Sequence, residues 1–254
     1  MERVELGRTG IRVSRLAFGT GTNGFGGKSD QTALGVEPLS ALLCYAQERG
    51  VRFWDTADSY GSHPHVCHAL RTTPREEVVL LSKTGSRDEA AAVADVERFC
   101  RELRTDYLDV VLLHCMTASD WPTTHAGAMR GLEKVRERGL VRAVGVSCHH
   151  FGALSVAAEH PWVQVVMARF NHAGRNMDAP PDEVLPVLRR AHANGKGIFG
   201  MKPLAKGLLA EDADAALRFV FGQGIFHAVS IGMVNRAQVD ENVALAARYA
   251  KAVA

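Results

Sequence analysis

No apolar run in the 254 residues approaches the roughly 18 that a membrane-spanning helix needs, and the opening Met1-Glu2-Arg3-Val4-Glu5-Leu6 lacks the apolar core of a secretion signal. A membrane protein and a secreted one are both unexpected, and a cytoplasmic location is expected. Cysteine is sparse and scattered. Cys44, Cys67, Cys100, Cys115 and Cys148 are odd in number and contain no C-x-x-C pair, which argues against a disulfide framework and against a cysteine-built metal or iron–sulfur centre. Reduced, mostly buried thiols are expected instead. Charge of one sign is lacking too: 30 Lys and Arg against 28 Asp and Glu leave +2 with no block of like charge, so neither nucleic acid nor a membrane surface is expected as a partner. Pro-rich and Ser-rich linkers are missing, so one domain over 1–254 is expected, at about the 250 residues typical of a (β/α)₈ barrel.

What the chain does have is alternation. Eight times a short β-branched or aromatic run precedes a stretch of helical period. The expected strands are Leu16–Thr20, Arg52–Ala57, Val78–Thr84, Tyr107–Cys115, Val141–Ser147, Val163–Asn171, Gly197–Leu204 and Ala228–Met233. The expected helices lie near 36–49, 63–70, 88–104, 123–138, 151–159, 182–194, 211–221 and 236–252. Strict βα alternation implies a parallel sheet, and runs such as Val110-Val111-Leu112-Leu113 suit strands covered on both faces. An α/β fold of the (β/α)₈ TIM-barrel type is expected. Val4–Val13, around Gly7 and Gly10, reads as a β-hairpin capping the barrel floor. A doubly wound open sheet would show the same alternation, and Gly19-Thr20-Gly21-Thr22-Asn23-Gly24 superficially fits its dinucleotide fingerprint. Twelve residues without helical period follow (25–36), so these glycines are read as serving a loop.

Barrel enzymes assemble their chemistry at the C-terminal ends of the strands. There this sequence turns polar: Asp55 to Gly61 at the end of strand two, Ser82-Lys83 at the end of strand three, His114 at the end of strand four, Ser147 at the end of strand five, and Gln164 and Asn171 at the start and end of strand six. Taken singly, a strand-end Asp or Lys is usually a solvated rim charge and a strand-end His a satisfied core residue. Together, Asp55 and Lys83 on neighbouring strands can neutralise one another. An ammonium beside a tyrosine stabilises phenolate and lowers the phenol's pKa. Tyr60 is then the natural acid, and His114 could orient a carbonyl oxygen or help pass the proton.

Leu6-Gly7-Arg8-Thr9-Gly10-Ile11-Arg12-Val13-Ser14 with Phe18-Gly19-Thr20, Asp55-Thr56-Ala57-Asp58-Ser59-Tyr60-Gly61, Ser82-Lys83 and Leu113-His114 together resemble the aldo-keto reductase family over nearly the whole chain. The resemblance implies a barrel that binds NADPH or NADP⁺ in extended form, with NADH as the alternative, and that delivers hydride to a small-molecule carbonyl. It implies Tyr60 as proton donor, Lys83 and Asp55 as the pair behind it, and His114 as the substrate-orienting residue. By the same resemblance the cofactor would be held by Gly19, Thr20 and Asp55, by Ser147 and Gln164 on either side of the carboxamide, by Met201, Lys202, Pro203, Leu204 and Lys206 over the pyrophosphate, and by Gly232, Gln238, Glu241 and Asn242 around the adenosine.

The chain also departs from the family pattern. Cys148 stands where an asparagine usually follows the serine, Ser62 where a glutamate commonly follows Tyr-Gly, and Val234 about where a basic residue engages a 2′-phosphate, leaving Arg236 or Lys202 to compensate. Little sequence follows the last helix, so a shallow, open pocket suited to a bulky or extended substrate is expected. His63-Pro64-His65, His68 and His149-His150 invite a metal reading, but H-x-H follows a turn instead of lying on a strand, so no metal is expected. These histidines and His172 are expected at the pocket mouth, and Trp54, Trp162 and Phe170 in packing. The expected function is NADP(H)-dependent reduction of an aldehyde or ketone by a monomer or small homo-oligomer. The alternatives are a cofactor-binding redox sensor or regulatory subunit with negligible turnover, and a metal-dependent barrel hydrolase.

Overall fold

Two short antiparallel strands come first, β1 (Arg3–Glu5) and β2 (Arg12–Ser14), in a computed structural model that describes residues 1–250. Eight strands follow: β3 (Leu16–Gly19), β4 (Phe53–Asp55), β5 (Val79–Thr84), β6 (Leu108–Met116), β7 (Val141–Cys148), β8 (Val165–Arg169), β9 (Gly197–Met201) and β10 (Ala228–Gly232). They pair in parallel in the order β10-β3-β4-β5-β6-β7-β8-β9 and close on themselves. Between them run α1 (Val36–Glu48), α2 (His63–Ala69), α3 (Glu89–Leu103), α4 (Trp121–Thr124), α5 (Ala126–Glu137), α6 (Phe151–Glu159), α7 (Pro181–Ala193) and α8 (Ala213–Phe221), and α9 (Arg236–Tyr249) follows β10. The architecture is the expected (β/α)₈ barrel with an N-terminal hairpin.

Most expected segments shift by one to three residues. The helix expected over 123–138 begins earlier and divides into α4 and α5 at His125, with Pro122 in the first turn of α4, where its missing N–H costs nothing. The helix expected over 236–252 is α9, and its residues 251 and 252 lie outside those described. Three helix starts are fixed by side chains that accept otherwise unsatisfied amides: Asp88 Oδ1 takes Ala91 N–H at 2.8 Å, Asn235 Oδ1 takes Gln238 N–H at 2.9 Å and His150 Nδ1 takes Ala153 N–H at 3.4 Å. Among the described residues no helix is long and apolar enough to cross a membrane.

Strand alternation separates two apolar layers. On β4, Trp54 faces the helices while Phe53 faces the barrel axis, where its ring stacks on Phe199 of β9 at 4.6 Å. Leu6, Ile11 and Val13 of the hairpin region are fully buried in the same inner cluster and plug the barrel's lower end. Each such side chain contributes about 1.5–3 kcal/mol by leaving water. The plug depends on Gly7. Its φ is +58°, and a Cβ there would lie 2.3 Å from the backbone nitrogen of Gly197 at the start of β9. Above the Phe53–Phe199 layer the inward positions turn polar: Asp55 on β4, Lys83 on β5, His114 on β6, Ser147 on β7 and Ser230 on β10.

Candidate active site

Lys83 is the most deeply buried charge in this ring, with 1% of its side chain exposed. Its Nζ donates to Asp55 Oδ1 and, at 2.8 Å, to Thr56 O, while Asp55 Oδ2 accepts Ser230 Oγ–H at 2.7 Å. Both carboxylate oxygens and the ammonium are thereby partnered, which a buried ion pair requires. Burial opposes the charge on Lys83, but Asp55 and Tyr60 outweigh it and hold the ammonium above the ordinary lysine range. Ser230 is a site residue that the sequence reading missed. The signal was there: it is the inward, polar position of an otherwise apolar strand.

Tyr60 ends a single 3₁₀ turn (Asp58–Tyr60) after β4 and is half-buried. Lys83 Nζ lies 4.8 Å from its ring centroid and His114 Nε2 is 3.5 Å from its hydroxyl. Burial pushes the phenol upward; Lys83 pulls it back, Asp55 adds to the rise, and the outcome is above the ordinary tyrosine value. The expectation that Lys83 lowers the pKa is right about that one contribution and is corrected for the sum. Such a phenol holds its proton at neutral pH. His114, pushed down to about 3 by burial and by Lys83, is a neutral imidazole there.

The glycines after β3 serve Tyr60. A Cβ at Gly21 would lie 2.2 Å from Tyr60 Cε2 and one at Gly24 2.5 Å from Cδ1, so only glycine lets this loop lie flat against the ring. Thr20, expected at a cofactor, is fully buried and spans Asp55 O (3.0 Å) and Ser62 Oγ (2.8 Å). It braces the turn that carries Tyr60.

A cavity of about 330 Å³ runs from this ring to α9. Gly19, Asp55, Tyr60, Met201, Lys202, Pro203, Leu204, Lys206, Gly232, Gln238, Glu241 and Asn242 all line it. The segment after β9 is held in a rare conformation, with φ of +58° at Lys202, +47° at Ala205 and +60° at Lys206. Such strain collects at sites that bind. Lys202 is pushed down to about 8 by burial, then by Arg169 and Lys206. At the far end Asn242 Nδ2 donates to Gln238 O at 2.7 Å, while Asn242 Oδ1 is buried without a partner.

The histidines separate. His63 is sandwiched between Glu102 (2.6 Å) and Ser82 (3.0 Å), and His65 is buried in α2, so the expectation of both at the pocket mouth is corrected. His150 Nδ1 accepts Ala153 N–H at the start of α6, and His172 faces Asp212 at 3.5 Å. His149 alone adjoins the site, its ring 6.5 Å from that of His114. Among the described residues no three His, Cys, Asp or Glu side chains gather as a metal-binding group. All five cysteines are free thiols: Cys100 and Cys148 are buried, Cys44 and Cys67 intermediate and Cys115 exposed, so fewer are buried than expected.

Residues 15–219 match the model of the Aldo/keto reductase family. The chain belongs to the aldo/keto reductase family. Among its relatives, the NADH-specific methylglyoxal reductase of Escherichia coli K12 is 25% identical over 82% of this chain and 69% of its own. The D-threo-aldose 1-dehydrogenase of a Pseudomonas species is 26% identical over 84% and 73%. A solved structure from Pseudomonas aeruginosa superposes with a TM-score of 0.81 at 27% identity, covering 98% of this chain and 95% of its own. The holo form of an aldo-keto reductase from Bacillus halodurans shares the fold with a TM-score of 0.77 at 21% identity, covering 96% and 90%. Aldo/keto reductases are oxidoreductases that act on carbonyl compounds with nicotinamide cofactors.

Seen as an aldo/keto reductase, the chain requires one correction of position. Gln164, expected beside the carboxamide, precedes β8 at the opposite end of the barrel. There its Oε1 accepts Val144 N–H at 3.1 Å, within a cleft shared with Arg8 and Gly195. The strand begins one residue later than Gln164, and Met167 is the β8 residue that lines the cavity, three residues and about 10 Å further along. Ser147 does lie on the inner face, where its Oγ accepts Cys115 N–H at 2.8 Å beside His114. Cys148 points away into the outer core, and Arg236 stacks over the Tyr45 ring at 4.7 Å instead of lining the cavity. The trio in which Arg169, two residues beyond Met167 on β8, is bonded to both His149 and Asp178 was not foreseen as a unit. Arg169 is a charge ending an apolar strand, the same signal that singled out Lys83.

Proposed function

We propose that the protein reduces an aldehyde or ketone to an alcohol with a nicotinamide dinucleotide, Tyr60 supplying the proton. What carries the reading is the juxtaposition of the Tyr60 hydroxyl, a neutral His114 at 3.5 Å and the Asp55-paired ammonium of Lys83 under the tyrosine ring.

The cavity residues fit the cofactor. Lys202 and Lys206 offer cations to a pyrophosphate, and the unpartnered Asn242 Oδ1 offers a buried acceptor to an adenine amine. NADPH and NADH both remain within the proposal, since Gln238 and Glu241 place no cation at the adenosine end and Arg236 is drawn onto Tyr45. A bound nicotinamide supplies the hydride that adds to the carbonyl carbon.

As charge develops on the carbonyl oxygen, the Tyr60 O–H passes its proton to it, and Lys83 stabilises the phenolate left behind. His114 orients the same oxygen. Asp55, held by Ser230, keeps Lys83 charged and in place. Replacing Tyr60 with Phe is expected to abolish turnover of NADPH or NADH with a panel of aldehydes while fluorescence titration shows cofactor affinity within about threefold. Unchanged turnover would overturn the reading. A single slow turnover by the wild type would point to a sensor.

A further inference from the structure

β8 is apolar from Val165 to Ala168 and then ends in Arg169, in register with Met201 of β9. Alternation puts Arg169 on the inner face, one step above the cavity-lining Met167. Its Nη1 donates to Asp178 Oδ1 at 2.8 Å and its Nη2 to His149 Nδ1 at 2.5 Å, while its Nε is buried without a hydrogen-bond partner.

Arginine can only donate. His149 Nδ1 is therefore the acceptor, which fixes the neutral tautomer and places the ring's hydrogen on Nε2. Burial first, then the cations Arg169 and Lys202, push His149 down to about 2, so that tautomer persists at all working pH values. The His149 ring meets that of His114 edge-on at 6.5 Å, and His114 in turn reaches Tyr60. Tyr60, His114, His149 and Arg169 thus follow one another as successive neighbours leading away from the proton donor. Arg169, Lys202 and Lys206 set three cations here against the single carboxylate of Asp178, in a chain whose overall charge is only +2.

Building on the carbonyl-reductase reading, we propose that Arg169 and His149 form a carboxylate subsite, and that the substrate is an aldehyde or ketone bearing a carboxylate remote from the reduced carbonyl. Asp178 and His149 each take one N–H from an Nη, while the Nε–H is a buried donor without a partner; it and the His149 Nε2–H are assigned to the two oxygens of a carboxylate. An uncharged substrate would leave the Arg169 Nε–H unsatisfied, a cost that a charge-assisted bond removes.

The test compares 4-carboxybenzaldehyde with methyl 4-formylbenzoate. The wild type is expected to favour the carboxylate in kcat/KM by about 10- to 100-fold. The double variant Arg169→Met/Asp178→Asn, which strands no buried charge, should bring the ratio near one, and Arg169→Lys should restore part of it. Ligand-detected NMR of 4-(hydroxymethyl)benzoate and its methyl ester supplies a readout independent of turnover: the carboxylate should bind the wild type and be lost from the double variant. Failure of both aldehydes to turn over, with that binding difference intact, would defeat the carbonyl-reductase reading and leave the subsite standing. A wild-type ratio near one, a ratio unmoved by the variants, or a loss that falls on cofactor affinity and on both aldehydes equally would overturn the subsite.

Discussion

Lys83 Nζ stands between Asp55, to which it is hydrogen-bonded, and the ring of Tyr60, whose centroid is 4.8 Å away. The pair is a support for the acid and a structural liability at once. Removing the ammonium leaves Asp55 buried at 3% exposure with Ser230 as its remaining side-chain partner. Lys83→Met should therefore lose stability by about 3–5 kcal/mol, the usual consequence of stranding one member of a buried pair. The double change Lys83→Met/Asp55→Leu should recover much of that loss in denaturant unfolding yet remain inactive. Recovery of turnover in the double variant would show that Lys83 does not serve Tyr60.

Gly21 tests the positioning of the acid from the other side. An alanine Cβ would sit 2.2 Å from Tyr60 Cε2, so the ring or the loop must move. Because misplacing a reacting group by about 1 Å can cost 100-fold, Gly21→Ala should depress kcat by one to two orders of magnitude with the melting temperature nearly unchanged. A fall in melting temperature matching that of a core substitution, with kcat preserved, would assign Gly21 to folding alone.

The barrel was legible in the sequence because its signal is repeated eight times, and an error of one or two residues at a strand end does not alter the order of elements. The catalytic ring was legible because Asp55, Lys83 and His114 are charged or polar where the alternation demands an apolar core. What could not be read was height along the barrel axis. Gln164 and Met167 belong to neighbouring stretches of one strand region, and only the pairing of Val165 with Gly197 and Gly145 shows that the glutamine lies at the floor. The roles of Thr20, Gly21 and Gly24 were hidden for a related reason: they act across a gap of some 35 to 40 residues, on a turn whose direction no local spacing records.

That placement of Gln164 makes a separable prediction. Its Oε1 satisfies the amide of Val144 at the base of β7, far from the reacting groups. Gln164→Leu should reduce stability by about 1–3 kcal/mol through the orphaned amide, as read by denaturant unfolding, and leave kcat and the KM for cofactor within twofold. A selective rise in cofactor KM would return Gln164 to the nicotinamide end.

Lys202 gives the site a pH dependence whose sign is fixed. Burial first, then Arg169 and Lys206, lower its pKa to about 8, so the free protein carries the charge below that pH and sheds it above. A pyrophosphate binds the ammonium better than the amine. Cofactor affinity should therefore be highest below pH 8 and fall by about tenfold between pH 7 and 9, the scale expected for one charge-assisted contact at a partly buried site. Lys202→Met should show the weak affinity at every pH, a flat profile in fluorescence titration. Lys206→Met, by removing a neighbouring cation, should move the wild-type inflection upward. An inflection that persists in Lys202→Met would assign the titration to another group.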